Sequence, residues 1–295
     1  MIEDSKDWNR VNFPSELYRF RSASTKYFED ELLRAVRGQE YFFSPIASLN
    51  DPFDCNPVIE DSSDRDILKF YRNIGRKYII SEKTVKAHYP DLTRKMIIAE
   101  MKKSYRVDFK NVRKTRSSFR NIFQSYRQHS KAVCLTEDWE SPLHWAHYAD
   151  AHSGISYCFK VVLQEAELIG DDLPLAMDYV RDRPVLSDVD LLCWLEGNDF
   201  EKNPEYALAA DSAFNALNLT KSMNWKYEKE WRVQKRFAGI AAYKYTPALR
   251  VESIILGARC STEVTRTVTK HCAGYCKVFS ARLDDEKFSL LKEEI

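Results

Sequence analysis

The spacing of hydrophobic and polar positions changes period repeatedly along the chain, and each change marks an element. Two-residue alternation sends successive side chains to opposite faces of a strand. It predicts strands over 17–21, 41–44, 132–136, 154–161, 175–180, 228–234, 251–256 and 277–281. Apolar positions returning every three or four residues predict helices over 26–37, 64–78, 142–149, 205–219 and 262–272, and a long helical stretch through the basic region near 94–131. Strands and helices mix without the regular alternation of a doubly wound fold. The expectation is a single α+β domain over 1–295, with a mixed central sheet and a basic helical insertion at 64–130.

Composition agrees with a packed chain. Of 295 residues, 44% are apolar and 13% aromatic, which supplies a sizeable core, and only 8 glycines and 10 prolines interrupt it. Residues 1–7 are acidic and lack the basic start and apolar stretch of a secretory leader. No run approaches the ~18 apolar residues of a membrane span. A cytoplasmic location without membrane association is expected. Seven cysteines, with Cys55, Cys134, Cys158 and Cys193 far apart in apolar surroundings, fit reduced buried thiols better than a disulfide framework. His271, Cys272 and Cys276 lack further ligands at a zinc-site spacing, so they read as a helix end rather than a metal centre.

The net charge of +1 conceals an asymmetry. Between Arg94 and Lys131 there are twelve Lys or Arg residues against two acids, Glu100 and Asp108, a local charge of +10. Tyr105, Phe109, Phe119, Phe123 and Tyr126 interleave with these cations. Cations alternating with aromatics suit a phosphate backbone and unstacked bases. Lys102, Lys103, Arg106, Arg113, Lys114, Arg116 and Arg120 are the candidate nucleic-acid contacts. The other reading is a solvated face, or one docked on acidic surface elsewhere in the chain.

Four constellations carry candidate chemistry. In the strand 17–21, alternation puts Arg19 and Arg21 on one face, where buried guanidinium groups need carboxylates or a ligand's phosphates. In Asn50-Asp51-Pro52-Phe53-Asp54, the side chains either fix a turn or meet a ribose hydroxyl or a metal. Ser141 and Pro142 open a short helix in which His144 and Tyr148 lie at i, i+4, while His147 is a candidate substrate contact. The fourth is Trp225–Arg232, whose alternation sets Glu228, Glu230 and Arg232 on one strand face, with the two carboxylates about 7 Å apart. There they either perturb each other's ionisation or are neutralised by Arg19 and Arg21.

Leu17-Tyr18-Arg19-Phe20-Arg21, Asn50-Asp51-Pro52-Phe53, the stretch from Trp145 to Ile155, and Trp225 to Arg232, in that order, resemble the bacterial domain-of-unknown-function family numbered 2971. That resemblance implies no established activity, only a defence-like or accessory-gene setting. More distantly, the layout is similar to that of ADP-ribosyltransferases, which implies a split sheet and NAD as cofactor. It assigns Arg19 or Arg21 to the cofactor's phosphates or ribose, Ser156 or Tyr148 to the middle-strand role, Glu230 to the nicotinamide ribose and Glu228 to the acceptor. Asn50, Asp51 and His147 are the further candidate cofactor contacts. The expected activity is transfer of ADP-ribose to a nucleic-acid or protein acceptor by a toxin-type or antiviral effector, held by an antitoxin or sensor partner. Two alternatives stay open. One is a nuclease whose Asp51, Asp54, Glu228 and Glu230 hold Mg²⁺, and the other is a noncatalytic nucleotide or nucleic-acid sensor.

Overall fold

The computed structural model describes residues 13–67, 69–70, 93, 95–96, 112–162, 173–196, 204–236 and 242–295. The chain divides into two compact units. One comprises Met1–Cys55, Arg127–Asp182 and Leu219–Ile295, the other Asn56–Tyr126 and Arg183–Asn218. The second unit is therefore assembled from two stretches, only one of which overlaps the expected insertion.

The larger unit is built on a ten-stranded mixed sheet. Its strands are β1 (Glu16–Arg21), β2 (Glu40–Pro45), β4 (Ser130–Thr136), β5 (Ile155–Val161), β6 (Leu175–Ala176), β10 (Glu230–Arg236), β11 (Ala242–Tyr245), β12 (Leu249–Leu256), β13 (Lys277–Leu283) and β14 (Leu290–Glu294). The path runs β11-β2-β4-β1-β5-β12-β13-β14, and β10 pairs with β4 and β6. Among the described residues, β12 and β13 are the one parallel pair in this sheet, so it is mixed as expected. A separate parallel pair joins β7 (Asp178–Val180) to β9 (Thr220–Ser222).

The pairing of β4 decides where a site can form. One edge of β4 pairs with β10 along its whole length, from Glu230 opposite Thr136 to Arg236 opposite Ser130. The other edge is shared: Tyr18 of β1 meets Thr136, whereas Ser44 and Pro45 of β2 meet Ala132 and Lys131. The sheet thus forks between β1 and β2. Arg19 reaches across the fork and donates from Nη2 to the Phe42 carbonyl at 2.9 Å.

Pleating sorts the side chains of these strands. Leu17, Val133, Leu135, Trp231 and Val233 enter a core with Phe28, Leu32 and Ala35 of helix α1 (Phe28–Gly38). Apolar spacing of four and three residues gives α1 that face, and Glu29, Asp30 and Glu31 in its first turn with Arg37 in its last suit the helix dipole. Tyr18 and Phe20, on the other face, pack with Trp145 and Ala149 beside helix α3 (Pro142–Tyr148). Gly154, at the entry to β5, permits a close approach there, because a Cβ would lie 2.2 Å from the Arg21 carbonyl. Asp150, Ala151 and His152, all with positive φ, form the turn before it. The Asp150 carboxylate ties that turn to the chain after β1, accepting from Ser22 Oγ and from the backbone N–H groups of Ala23 and Ser24 at 2.5, 3.0 and 3.1 Å.

In the second unit, β3 (Val58–Glu60) pairs in parallel with β8 (Val185–Ser187). Helices α4 (Asp188–Glu196) and α5 (Pro204–Asn218) supply Leu191, Ala213, Ala216 and Leu217 to a core with Phe123 of α2 (Val112–His129). Lys102, Lys103 and Arg106 lie outside the described residues. Arg113, Lys114, Arg116 and Arg120 fall on the backbone of α2, and their side chains are outside what is described.

The strand expected at 228–234 begins at Glu230 instead. A 3-10 turn over Met223–Glu228 precedes it, and Lys229 takes the left-handed conformation at φ 44°. Ser222 opens this turn by accepting from Asn224 N, and Thr136 Oγ1 donates to the Glu228 carbonyl at its end at 2.6 Å. The strand expected at 175–180 is broken at Met177 into β6 and β7, because Met177 N turns to the Glu230 carbonyl at 2.9 Å. Among the described residues, no helix is long and apolar enough to cross a membrane.

Candidate functional site

A cavity of about 190 Å³ opens at the fork of the sheet. β1, β2, β4, β10 and α3 contribute to its wall, together with Asn50, Asp54, Lys221 and Glu228. All of these belong to the larger unit.

A buried ionic cluster lies in the cavity lining. Arg232 donates from Nη1 and Nη2 to the two oxygens of Asp54 at 2.9 and 2.5 Å, and from Nε and Nη2 to the two oxygens of Glu230 at 2.6 and 3.0 Å. Lys221 Nζ donates to Glu230 at 2.8 Å and to Glu228 Oε2, and lies 4.0 Å from Asp54. Glu228 Oε1 accepts from the Tyr148 hydroxyl at 2.6 Å, and Asn50 donates to that hydroxyl at 3.2 Å. The contiguous chain is therefore Asn50–Tyr148–Glu228–Lys221–Glu230–Arg232–Asp54. The five charged groups in it, two cations and three carboxylates, are all nearly buried, so each needs an opposite charge beside it within the cluster.

Ionisation follows from these contacts. Burial pushes the Glu230 carboxyl up, but Arg232 and Lys221 outweigh burial and hold it at about 2. Lys221 is desolvated, yet Glu230 and Glu228 keep its ammonium protonated well above the usual range. Tyr148 is raised well above an ordinary phenol by burial and by its bond to Glu228, so it remains a donor. Burial lowers His144 to about 4, leaving a neutral ring stacked on Phe20 at 5.2 Å. The thiols of Cys55 and Cys134 are pushed up by burial, which makes them poor nucleophiles beside this cluster.

The two glutamates differ in what they have left to offer. A carboxylate has about four lone-pair sites. Glu230 accepts three bonds, whereas Glu228 accepts one on each oxygen and stands beside Tyr148 in the cavity wall. Convergence of the two does not come from strand alternation. The 3-10 turn and the left-handed Lys229 bring both carboxylates to one ammonium, while Lys229 points to Asp138 at 3.3 Å on the exposed side.

Arg19 and Arg21 line the same cavity but do not neutralise these acids. Tyr18, between them, pairs with Thr136, which pairs with Glu230, so the arginines belong to the opposite pleat. Arg21 bonds Glu31 of α1 at 2.6 Å, and burial followed by the nearby Arg21 charge lowers Arg19. Asn50, Tyr148, Glu228 and Glu230 meet in the cavity as a group. Asp51 is buried and fixes a turn by accepting from Phe53 N at 2.9 Å, His147 is exposed, and Ser156 is fully buried, and none of these three lines the cavity. Sequence reasoning passed over Lys221, which sits alone in Thr220-Lys221-Ser222 with nothing to distinguish it from a surface lysine. It favoured His147 over His144. The i, i+4 relation of His144 to Tyr148 was the usable sign, and their rings lie 6.2 Å apart.

The residues considered for Mg²⁺ do not suit a divalent ion. Arg232 and Lys221 already occupy the oxygens of Asp54 and Glu230, and Asp51 caps its own turn. Among the described residues, the group with metal-ligand spacing is Glu16, Cys158 and Glu252, outside this cavity.

Fold and site together define an α+β protein with a buried acid–base cluster in a cleft where a mixed sheet forks. Residues 144–233 match the family described as Protein of unknown function (DUF2971), the family that the motifs resemble. The two earlier motifs, at 17–21 and 50–53, lie outside the matched stretch. No curated protein and no solved structure matches the chain.

Proposed function

We propose that the fork cavity takes the ribosyl end of NAD, and that Glu228 rather than Glu230 meets the sugar, in an ADP-ribosyltransferase-like enzyme of the cytoplasm. The observation that carries this reading is the Tyr148–Glu228–Lys221 chain in the wall of an open cavity. An apolar cavity of about 150 Å³ holds benzene, so about 190 Å³ suits one ring or sugar and leaves the rest of a dinucleotide outside. Bound NAD would supply an N-glycosidic bond whose cleavage releases nicotinamide with the bonding electrons, after which an acceptor heteroatom bonds the ribose carbon and loses its proton. Glu228 holds a ribose hydroxyl and offsets the positive charge that grows at that carbon. Tyr148 fixes the Glu228 rotamer, and Glu230 with Lys221 positions it. Arg19 and Arg21 already bond the Phe42 carbonyl and Glu31, so this reading leaves the phosphates to the surface outside the cavity. Nucleic acid is the acceptor this reading favours, on the +10 charge between Arg94 and Lys131, and an effector of defence or toxin type restrained by a partner is the setting.

The test is nicotinamide release from NAD by the pure protein with single-stranded DNA, RNA and protein acceptors. Wild type should release it, Glu228→Gln should lose at least about 100-fold, and Tyr148→Phe should fall between the two. Equal release by wild type and Glu228→Gln would end the proposal. A noncatalytic nucleotide sensor is the second reading, favoured by the near saturation of Glu230. It predicts that NAD raises the thermal midpoint without any nicotinamide appearing.

A further inference from the structure

The 3-10 turn that delivers Glu228 carries two aromatic rings that the core does not use. Trp225 and Tyr227 are half-buried, and neither joins an apolar cluster among the described residues. Their centroids are 6.1 Å apart. Tyr227 lies 6.1 Å from His144, which stacks on Phe20 at an interplanar angle of 7°. His144 and Phe20 both line the fork cavity, and Tyr227 and Trp225, which are not in its lining, continue the row of rings from His144. Lys221 Nζ, bonded to both glutamates, sits 5.1 Å from the Trp225 centroid. The platform is held at both ends, by Ser222 accepting from Asn224 N and by Thr136 donating to the Glu228 carbonyl. Beside the rings, Lys226 is exposed and Lys229 is held by Asp138. One cation with two rings matches one or two unpaired nucleotides, not a duplex backbone, which requires a stripe of charge.

We infer that Trp225 and Tyr227 form a stacking platform for an unpaired nucleobase at the rim of the cavity, with Lys226 toward its phosphate. As the place where the acceptor enters, the platform rests on the transferase reading. As a binding site, it stands without it. A base stacked there lies next to Glu228, which would explain why two large rings stay partly exposed on a turn fixed at both ends.

The experiment titrates the full chain with a fluorescently labelled single-stranded oligonucleotide, at salt high enough to suppress phosphate contacts elsewhere, and follows anisotropy and tryptophan emission. Stacking contributes about 1–3 kcal/mol per base, so Trp225→Ala and Tyr227→Ala should each weaken binding about five- to 150-fold. Trp225→Phe should retain most of the affinity, which separates stacking from damage to the turn. Binding is read with no NAD present, so loss of the transferase reading alone leaves this result standing. Unchanged affinity in both alanine variants would overturn the inference. So would equal losses for the same sequence as a duplex, or binding of an aromatic peptide by a protein that does not bind the oligonucleotide.

Discussion

Replacing Lys221 with methionine asks directly whether the cluster is held by its central ammonium. The side chain is 4% exposed, and its partners Glu228, Glu230 and Asp54 are 6%, 5% and 1% exposed. Methionine fills similar space but removes the cation that two carboxylates share, leaving three buried acids with Arg232 alone. Removing one partner of a buried pair typically costs 3–5 kcal/mol, because the other charge stays buried without compensation. For a unit of this size, 1 kcal/mol moves the thermal midpoint by about 2–4 °C, so about 4 kcal/mol predicts a fall of about 8–16 °C. Urea titration followed by circular dichroism should show the same loss. The double variant Lys221→Met/Glu228→Gln should recover part of it, since one of the stranded charges is gone, with a coupling of about 1–3 kcal/mol. A Lys221→Met midpoint within about 2 °C of wild type, or strict additivity in the cycle, would refute the view that Lys221 is the electrostatic centre of the site.

Further outcomes follow from the same contacts. The folded Glu230 carboxyl, near 2, lies below its ordinary 4.5, so its ionised form contributes stability at neutral pH that is lost as pH falls from about 4.5 toward 2, on the order of 3 kcal/mol. Urea midpoints measured down to about pH 3 should decline less steeply in Glu230→Gln. His144, near 4 instead of 6.5, favours folding as the neutral ring. Its contribution is full above 6.5 and fades as pH falls toward 4, a decline that His144→Gln should flatten. Gly154→Ala places a methyl 2.2 Å from the Arg21 carbonyl and should lower stability by about 3 kcal/mol in urea, whereas the same change at Gly274, where nothing lies within 4 Å but φ is +77°, should cost only about 1 kcal/mol. Asp150→Ala removes three bonds to the segment after β1 and should speed amide exchange at Ala23 and Ser24, with circular dichroism unchanged.

Local pattern determined much of this protein. Two-residue alternation placed β1, β2, β4, β5, β12 and β13 close to their true bounds, and the spacing of Phe28, Leu32 and Ala35 and of Val268 and Cys272 placed the helices that cover the sheet. Such periods are written in neighbouring residues, so they survive without knowledge of partners. Helix α4, Asp188–Glu196, escaped because its apolar residues do not keep to one face, and β8, β9, β11 and β14 are too short or too mixed to stand out from their flanks. The motifs brought Tyr148, Glu228, Glu230 and Asn50 into view as polar residues where apolar ones were expected. What they could not supply was the pairing. Arg232 sits two residues from Glu230 on one face of β10, so that pair is local, but Asp54 reaches Arg232 from 178 residues away and Tyr148 reaches Glu228 from 80, through strand pairings that no local period records. Only the folded sheet, dividing at β4 between β1 and β2, turns those separate side chains into one cavity, because burial and charge balance act on distance in space and leave no period in the chain.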